Sequence, residues 1–381
     1  MISWNLKSRS QRPIGLDIGY NCIKMIQLSV NAGQISVTAA DKVQIEPNIN
    51  GDVQKRKNFV VSATKQMLSE GNFRGRNVIS CLSNEDLRIT SLRLAETEMQ
   101  EEIEQTLKKE ASQRFGLDVE KNVINYVPAG SVRQGDVTKN ELILFATDSE
   151  AINKHIAMLD EIGLKPSAID TVPCALFRVF ERSLKRQEDK ERTVVFIDVG
   201  GRFTTVVFGR GCEISFVKQI PIGGEKFNRQ IATKLGISTA EAQRLRDTLL
   251  KEKSVNSRKE SGSAGQDLNG QSSLDVSTRQ VMVDAVGAVA EELAREISLC
   301  FRYYTVTFRG KRVERAIIAG GGAYENILLT VLKRQLTVEI EMAQPFRGID
   351  MVNINFDSDR RGLLCEWAVA LGIGLKGWNN N

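Results

Sequence analysis

Ile14-Gly15-Leu16-Asp17-Ile18-Gly19 forms the chain's first apolar run, and Val195-Phe196-Ile197-Asp198-Val199-Gly200-Gly201 repeats its pattern in the middle of the chain. Each stretch reads as a buried strand that ends in Asp-x-Gly, turns, and resumes as a second apolar strand. After Asp17, the residues Gly19, Tyr20, Asn21, Cys22 and Lys24 lead into Met25-Ile26-Gln27-Leu28. After Asp198, Gly200, Gly201, Thr204 and Thr205 lead into Val206-Val207-Phe208. Glycine leaves backbone N–H groups open to an anion, so such a turn can close on a phosphate. The strand-end aspartate can hold Mg²⁺ directly or through water, or orient an attacking water. One such turn is an ordinary hairpin; two of them in one chain point to phosphate. A third cluster, Ala316-Ile317-Ile318-Ala319-Gly320-Gly321-Gly322-Ala323, runs a strand into three glycines and a helix near Tyr324. There a flat nucleoside could lie against bare backbone at a helix N-terminus.

Two phosphate turns followed by a nucleoside turn resemble the actin-like ATPase superfamily over nearly the whole chain. That resemblance implies an α/β fold of two lobes, each on a duplicated ribonuclease-H-like mixed sheet. Within the superfamily the chain is similar to the PilM family of type IV pilus assembly. The basic lead from Trp4 to Ile14 carries that similarity, as do Leu92-Arg93-Leu94, Glu96-Thr97-Glu98-Met99, Glu101-Glu102-Ile103 and Lys109-Glu110-Ala111. Ile220-Pro221-Ile222-Gly223-Gly224-Glu225 and Ala368-Val369-Ala370-Leu371-Gly372-Ile373-Gly374-Leu375 add to it. Ala95 stands where the family pattern has proline, the mark of a divergent member.

Composition narrows the function classes. A chain of 381 residues suffices for two domains. Its net charge of +5 and 6% aromatics, with no basic cluster interleaved with aromatics, argue against nucleic-acid binding. Lys7, Arg9 and Arg12 suit either an anionic membrane surface or a solvated tail. Cys22, Cys81, Cys174, Cys212, Cys300 and Cys365 are scattered singly, as reduced thiols of a cytoplasmic protein are. No run is long enough to span a membrane and none resembles a signal peptide, so the expectation is a cytoplasmic protein that reaches the inner membrane through a partner. His155, the single histidine, reads as a surface residue and by itself forms neither a metal site nor a triad.

The first lobe is expected over residues 1–172, with strands at 14–19, 23–30, 34–45 and 77–82 and a helix at 57–70. Residues 84–146 read as a small inserted α+β subdomain: strand 87–94, helix 97–114, strand 122–128, a turn from Gly130 to Asp136, and strand 140–147. A helix at 149–162, a strand to Asp170 and an interlobe helix at 173–187 within a connection of 173–192 follow. The second lobe covers 193–381, with strands 203–208 and 213–220, helices 225–235 and 240–250, and a long amphipathic helix through Val283, Val286, Leu293, Ile297 and Tyr304. Between them, 251–279 is rich in Lys, Ser, Gly, Asn and Gln and reads as a disordered, deletable insertion.

The resemblance implies that ATP and Mg²⁺ bind between the lobes, with Asp17 as the metal-side carboxylate, Asp198 its second-lobe counterpart, and Lys24 near the phosphates. Gln243 and Arg246 stand where the family has a glutamate and a lysine for the nucleoside; they suit an ordinary charged helix face equally well. Hydrolytic relatives carry Glu-Pro-x-Ala at the hinge, whereas this chain has Val172-Pro173-Cys174-Ala175. Valine neither accepts a proton nor positions water, so hydrolysis should be slow or absent. The implied partner is the cytoplasmic N-terminal tail of a PilN-like inner-membrane protein, held in a groove between the inserted subdomain and the first lobe. Leu87, Ile89, Leu92, Leu94, Ile103 and Leu107 are its candidate pockets, or simply the subdomain's own core. The alternative is an active phosphotransferase or an FtsA-like filament protein, although Gly377-Trp378-Asn379-Asn380-Asn381 is too short and polar for an FtsA-type membrane helix.

Overall fold

The computed structural model describes residues 12–31, 33–95, 100–116, 118, 121–134, 137–182, 192–259, 274–308, 312–351, 354, 356 and 363–376. In chain order its first part comprises β1 (Ile14–Ile18), β2 (Cys22–Asn31), β3 (Gln34–Gln44), α1 (Val53–Glu70), β4 (Asn77–Cys81), β5 (Arg88–Ala95), α2 (Gln100–Phe115), β6 (Asn122–Gln134), β7 (Val137–Asp148), α3 (Ser149–Ile162), β8 (Lys165–Asp170) and α4 (Val172–Glu181). Its second part comprises β9 (Thr193–Val199), β10 (Thr204–Arg210), β11 (Glu213–Ile220), α5 (Gly224–Leu235), α6 (Thr239–Lys259), α7 (Val276–Thr307), β12 (Val313–Ala319), α8 (Asn326–Gln335), β13 (Glu339–Met342) and α9 (Ala368–Gly374).

Two five-stranded sheets repeat one plan, β3-β2-β1-β4-β8 and β11-β10-β9-β12-β13. In each, the strand carrying Asp-x-Gly is central, antiparallel to the next strand and parallel to the fourth. Such strands are covered on both faces, which is why β9 is buried along its whole length and apolar from Val194 to Ile197. Ile14, Leu16, Met25, Val60, Met67 and Leu159 pack together in the first lobe. Phe196, Phe208, Phe227 and Tyr304 anchor the larger core of the second.

The lobes are joined where α4 and α9 cross. A Cβ on Gly372 would lie 1.9 Å from the Ala175 carbonyl oxygen, and one on Gly15 would lie 2.8 Å from the Gly374 nitrogen. Only bare backbone permits this approach. Arg178 Nη1 fixes the crossing by donating to the Gly372 carbonyl at 2.7 Å and to Asp170 at 2.8 Å. Pro173 sits in the first turn of α4, where its missing N–H costs nothing.

A third sheet, β5-β7-β6, lies between β4 and α3 in sequence. Strand alternation divides its residues. Leu92 and Leu94 pack with Leu107, Ile103, Leu142 and Leu144 beneath α2, whereas Leu87, Ile89, Ile143 and Phe145 pack on the second-lobe core.

Three local expectations change. Gly130, at φ +90°, sits in a register shift within β6 rather than ending the strand, so the β6–β7 hairpin extends to Gln134 and Val137. The interlobe helix ends at Glu181, and residues 183–191 lie outside the described residues. Helix α6 runs on to Lys259 and α7 starts at Val276, capped by Asp275 Oδ1 accepting from Thr278 N at 2.9 Å, so the expected 251–279 insertion is invaded from both ends; 260–273 lie outside the described residues.

Candidate functional site

Both Asp-x-Gly turns close as hairpins of the same size. Gly19 N donates to the Cys22 carbonyl at 3.0 Å, and Gly200 N donates to the Phe203 carbonyl at 3.0 Å. The loops are therefore Tyr20-Asn21 and Gly201-Arg202. They meet tip to tip: a Cβ on Gly201 would lie 2.9 Å from Tyr20 Cβ. Tyr20's ring is flanked by Arg56 and Arg202, each guanidinium 5.7 Å from its centroid. Arg56, on α1, also donates to the Gly19 carbonyl at 2.7 Å and to the Tyr20 carbonyl at 3.0 Å.

Across the first hairpin Lys24 pairs in register with Asp17, Nζ to Oδ2 at 3.1 Å, both side chains buried. Burial pushes the Lys24 ammonium down, but Cys22 and Asp17 more than offset it and leave its pKa above the ordinary value. Across the second hairpin the partner of Asp198 is Thr205. Burial raises Asp198, Lys24 lowers it and Asp17 raises it again, with the net result pushed up to about 6.

The three-glycine turn leans on this second strand end. Gly320 has φ +81°, and a Cβ there would meet Val199 O at 2.5 Å and Asp198 Oδ1 at 2.6 Å; one on Gly322 would meet Val199 Cγ1 at 2.3 Å. Gly321 has nothing within 4 Å of a Cβ and is the member that faces open space. A short 3-10 turn, Gly321–Tyr324, intervenes before α8.

Gln243 and Arg246 come together with residues that sequence reasoning missed. Arg246 donates to Glu325 at 3.1 Å, to the Gly224 carbonyl at 3.2 Å and to Asn228 Oδ1 at 3.2 Å, and lies 4.8 Å over the Phe227 ring. Asn228 Nδ2 donates to Gln243 at 3.2 Å. A carboxylate placed directly after Gly320-Gly321-Gly322-Ala323-Tyr324 was the available signal for Glu325, which is 2% exposed. Asp170, the carboxylate nearest the hinge valine, is engaged by Arg178 at 2.8 Å and Lys376 at 3.1 Å. His155 is half-buried rather than a freely exposed surface residue: its Nε2 lies 3.1 Å from Ser80 Oγ, and burial lowers its pKa to about 4.

A further link was invisible in sequence. Asn84, between β4 and β5, donates from Nδ2 to Thr205 Oγ1 at 3.2 Å and accepts from Gln219 Nε2 at 2.9 Å. Its neighbour Glu85 pairs with Arg202, whose Nε also lies 3.5 Å from Glu225. The segment leading into the third sheet is thus strapped to the second hairpin. The six candidate partner residues need correction. Leu92, Leu94 and Leu107 are buried in the third sheet's own core with Ile103 against it, and Leu87 and Ile89 pack toward the second lobe rather than lining a groove against the first.

Two sheets of one order, hinged on crossed helices, with matched Asp-x-Gly hairpins meeting between them, define a two-lobed protein of the actin-like ATPase fold. The chain is similar in structure to a PilM-PilN type IV pilus biogenesis complex, with TM-score 0.77 and 22% identity over 97% of this chain and 99% of that one. It is similar at TM-score 0.50 and 14% identity to the ethanolamine utilization protein EutJ from Carboxydothermus hydrogenoformans, over 95% of this chain and 89% of that one. The family described as type IV pilus assembly protein PilM matches residues 15–252, and the chain belongs to that family. Among the described residues no helix is long and apolar enough to cross a membrane.

Proposed function

We propose that this chain is a nucleotide-dependent scaffold of type IV pilus assembly: Mg-ATP binds between the hairpins, is hydrolysed slowly or not at all, and sets the grip on the cytoplasmic N-terminal tail of a PilN-like inner-membrane protein. The observation that carries this reading is the strap from Asn84 and Glu85 to Thr205 and Arg202, because it couples the third sheet to the turn expected to hold phosphate.

The residues suit the nucleotide. The open face at Gly321 is a cradle that a side chain would fill, and Gln243, Arg246 and Glu325 stand beside it as polar groups for a nucleoside. Asp17 and Asp198 would hold Mg²⁺, and among the described residues no gathering of three or more metal-ligating side chains exists. That sparse donor set fits Mg²⁺, which keeps its waters and takes one or two carboxylates plus phosphate oxygens. When bound, the ion neutralises phosphate charge. Lys24 balances Asp17, Thr205 offers a hydroxyl to the phosphates, and Asn84 orients that hydroxyl. With Val172 at the hinge and Asp170 held by two cations, the hinge itself supplies no general base for water.

The partner reading draws on the similar PilM-PilN complex. With the leucines of β5 committed to packing, an extended tail would bind along exposed backbone of the third sheet rather than in those pockets. Calorimetry with Mg-ATP and with a synthetic tail peptide tests the proposal. The expected results are binding of both, loss of Mg-ATP binding in Asp17→Ala, and turnover well below about one per second, the low end of ordinary enzymes. Undiminished Mg-ATP binding in that variant removes Asp17 from the site, and faster turnover overturns the scaffold reading.

A further inference from the structure

At the end of the first sheet opposite the hairpins, where β1, β4 and β8 begin, a cavity of about 190 Å³ is lined by Arg12, Arg74, Gly75, Arg76, Asn77 and Lys165. Four of these six residues are cations and none is a carboxylate. The walls are fixed by backbone bonds. Gln27, 3% exposed, donates from Nε2 to the carbonyls of Arg12 at 2.9 Å and Arg74 at 2.7 Å, and accepts from Arg74 N at 2.8 Å. Lys165 N donates to the Arg76 carbonyl at 2.8 Å, and Gly75, at φ +78°, turns the chain between the two arginines. Among the described residues, no ion pair to a carboxylate is formed by Arg74, Arg76 or Lys165.

Like charges brought together on rigid backbone repel, and an anion at the centre relieves the repulsion. We propose that this cavity is a docking site for a phosphate-bearing anion, and that its source is the headgroup of an anionic phospholipid. Each cation held near an anionic surface raises partition roughly five-fold, so Arg74, Arg76 and Lys165 together raise it about a hundred-fold. That is too weak for permanent anchoring. It suffices to orient a protein already tethered by another contact, where the effective concentration is already high. The site lies at the far end of the sheet from the hairpins and does not depend on nucleotide binding.

The test is co-sedimentation of the full chain with vesicles of phosphatidylcholine, with and without phosphatidylglycerol, alongside calorimetric titration with inorganic phosphate. The expected result is binding only to vesicles that contain phosphatidylglycerol, falling with added salt and weakened about thirty-fold in the exposed double variant Arg74→Gln/Arg76→Gln. Arg74→Lys/Arg76→Lys, which keeps the charge, should retain binding, and a thermal melt of each variant separates lost binding from lost fold. Phosphate binding without vesicle binding overturns the phospholipid source and assigns the site to free phosphate. Binding to neither, equal binding to both vesicle types, or undiminished binding by a folded Gln double variant overturns the proposal.

Discussion

Across the first hairpin a buried lysine faces Asp17 at 3.1 Å, whereas across the second, at the matching register, Asp198 faces the neutral Thr205. The loops diverge in the same complementary way. Tyr20 holds the position in the first loop that Gly201 holds in the second, and the Cβ of Tyr20 sits against the space that Gly201 leaves. Arg56 fastens the first loop by its carbonyls, while Arg202 in the second reaches Glu85, Glu225 and Tyr20 across elements. A duplicated turn has become one clamped jaw, with its charge balanced internally, and one responsive jaw, whose carboxylate and arginine answer to neighbours.

The largest effect should come from breaking the clamped jaw. Lys24→Met leaves Asp17 buried without its cation and should destabilise the fold by about 3–5 kcal/mol. Thr205→Val, its counterpart, should cost only about 1 kcal/mol, the value of a hydrogen bond. Urea denaturation of both variants compares the jaws directly, and equal costs would erase the distinction.

The pH dependence sharpens it next. Asp198 takes a proton more readily in the folded chain, at about 6, than at its ordinary value of 3.8. Low pH therefore favours the fold: this contribution is complete below about pH 4 and is lost as pH rises through about 6, a change of at most about 3 kcal/mol. Asp198→Asn should remove the dependence and stabilise the nucleotide-free protein at neutral pH. Thermal melts across that window check this, and a wild-type profile identical to the variant's would remove the assignment.

Smaller is Gly201→Ala, where a methyl at 2.9 Å from Tyr20 Cβ forces the tips apart. A cost of about 1–3 kcal/mol is expected, together with a larger radius of gyration in solution scattering. An unchanged radius would mean that the hairpins do not touch in solution.

Smallest is Asn84→Ala, which frees the Thr205 hydroxyl to rotate. Mg-ATP affinity should fall about five-fold, equivalent to about 1 kcal/mol. The tail peptide should also lose its effect on nucleotide affinity, because the strap joins the two sites. A variant in which tail and nucleotide still influence each other as in the wild type would show that coupling runs elsewhere.

The sequence by itself determined the repeated strand-turn-strand, the central apolar strands and the glycines at the turns. These are local matters: a strand covered on both faces must be apolar along its length, and a two-residue loop between antiparallel strands needs small or turn-forming residues. The family pattern in Ile220 to Glu225 and Ala368 to Leu375 was equally legible, since it is a pattern of residues in order. Tertiary structure decided the rest. Which apolar residues between Leu87 and Leu94 face α2 and which face the second lobe depends on where the third sheet docks, and alternation alone cannot say which face meets which neighbour. Glu325 joins Arg246 from 79 positions away, and Asn84 reaches Thr205 across 121. Such partners carry no periodic signature. Their meeting follows from two lobes folding onto one hinge, where close approach is set by Gly15, Gly372 and Ala175 rather than by anything near the residues that meet.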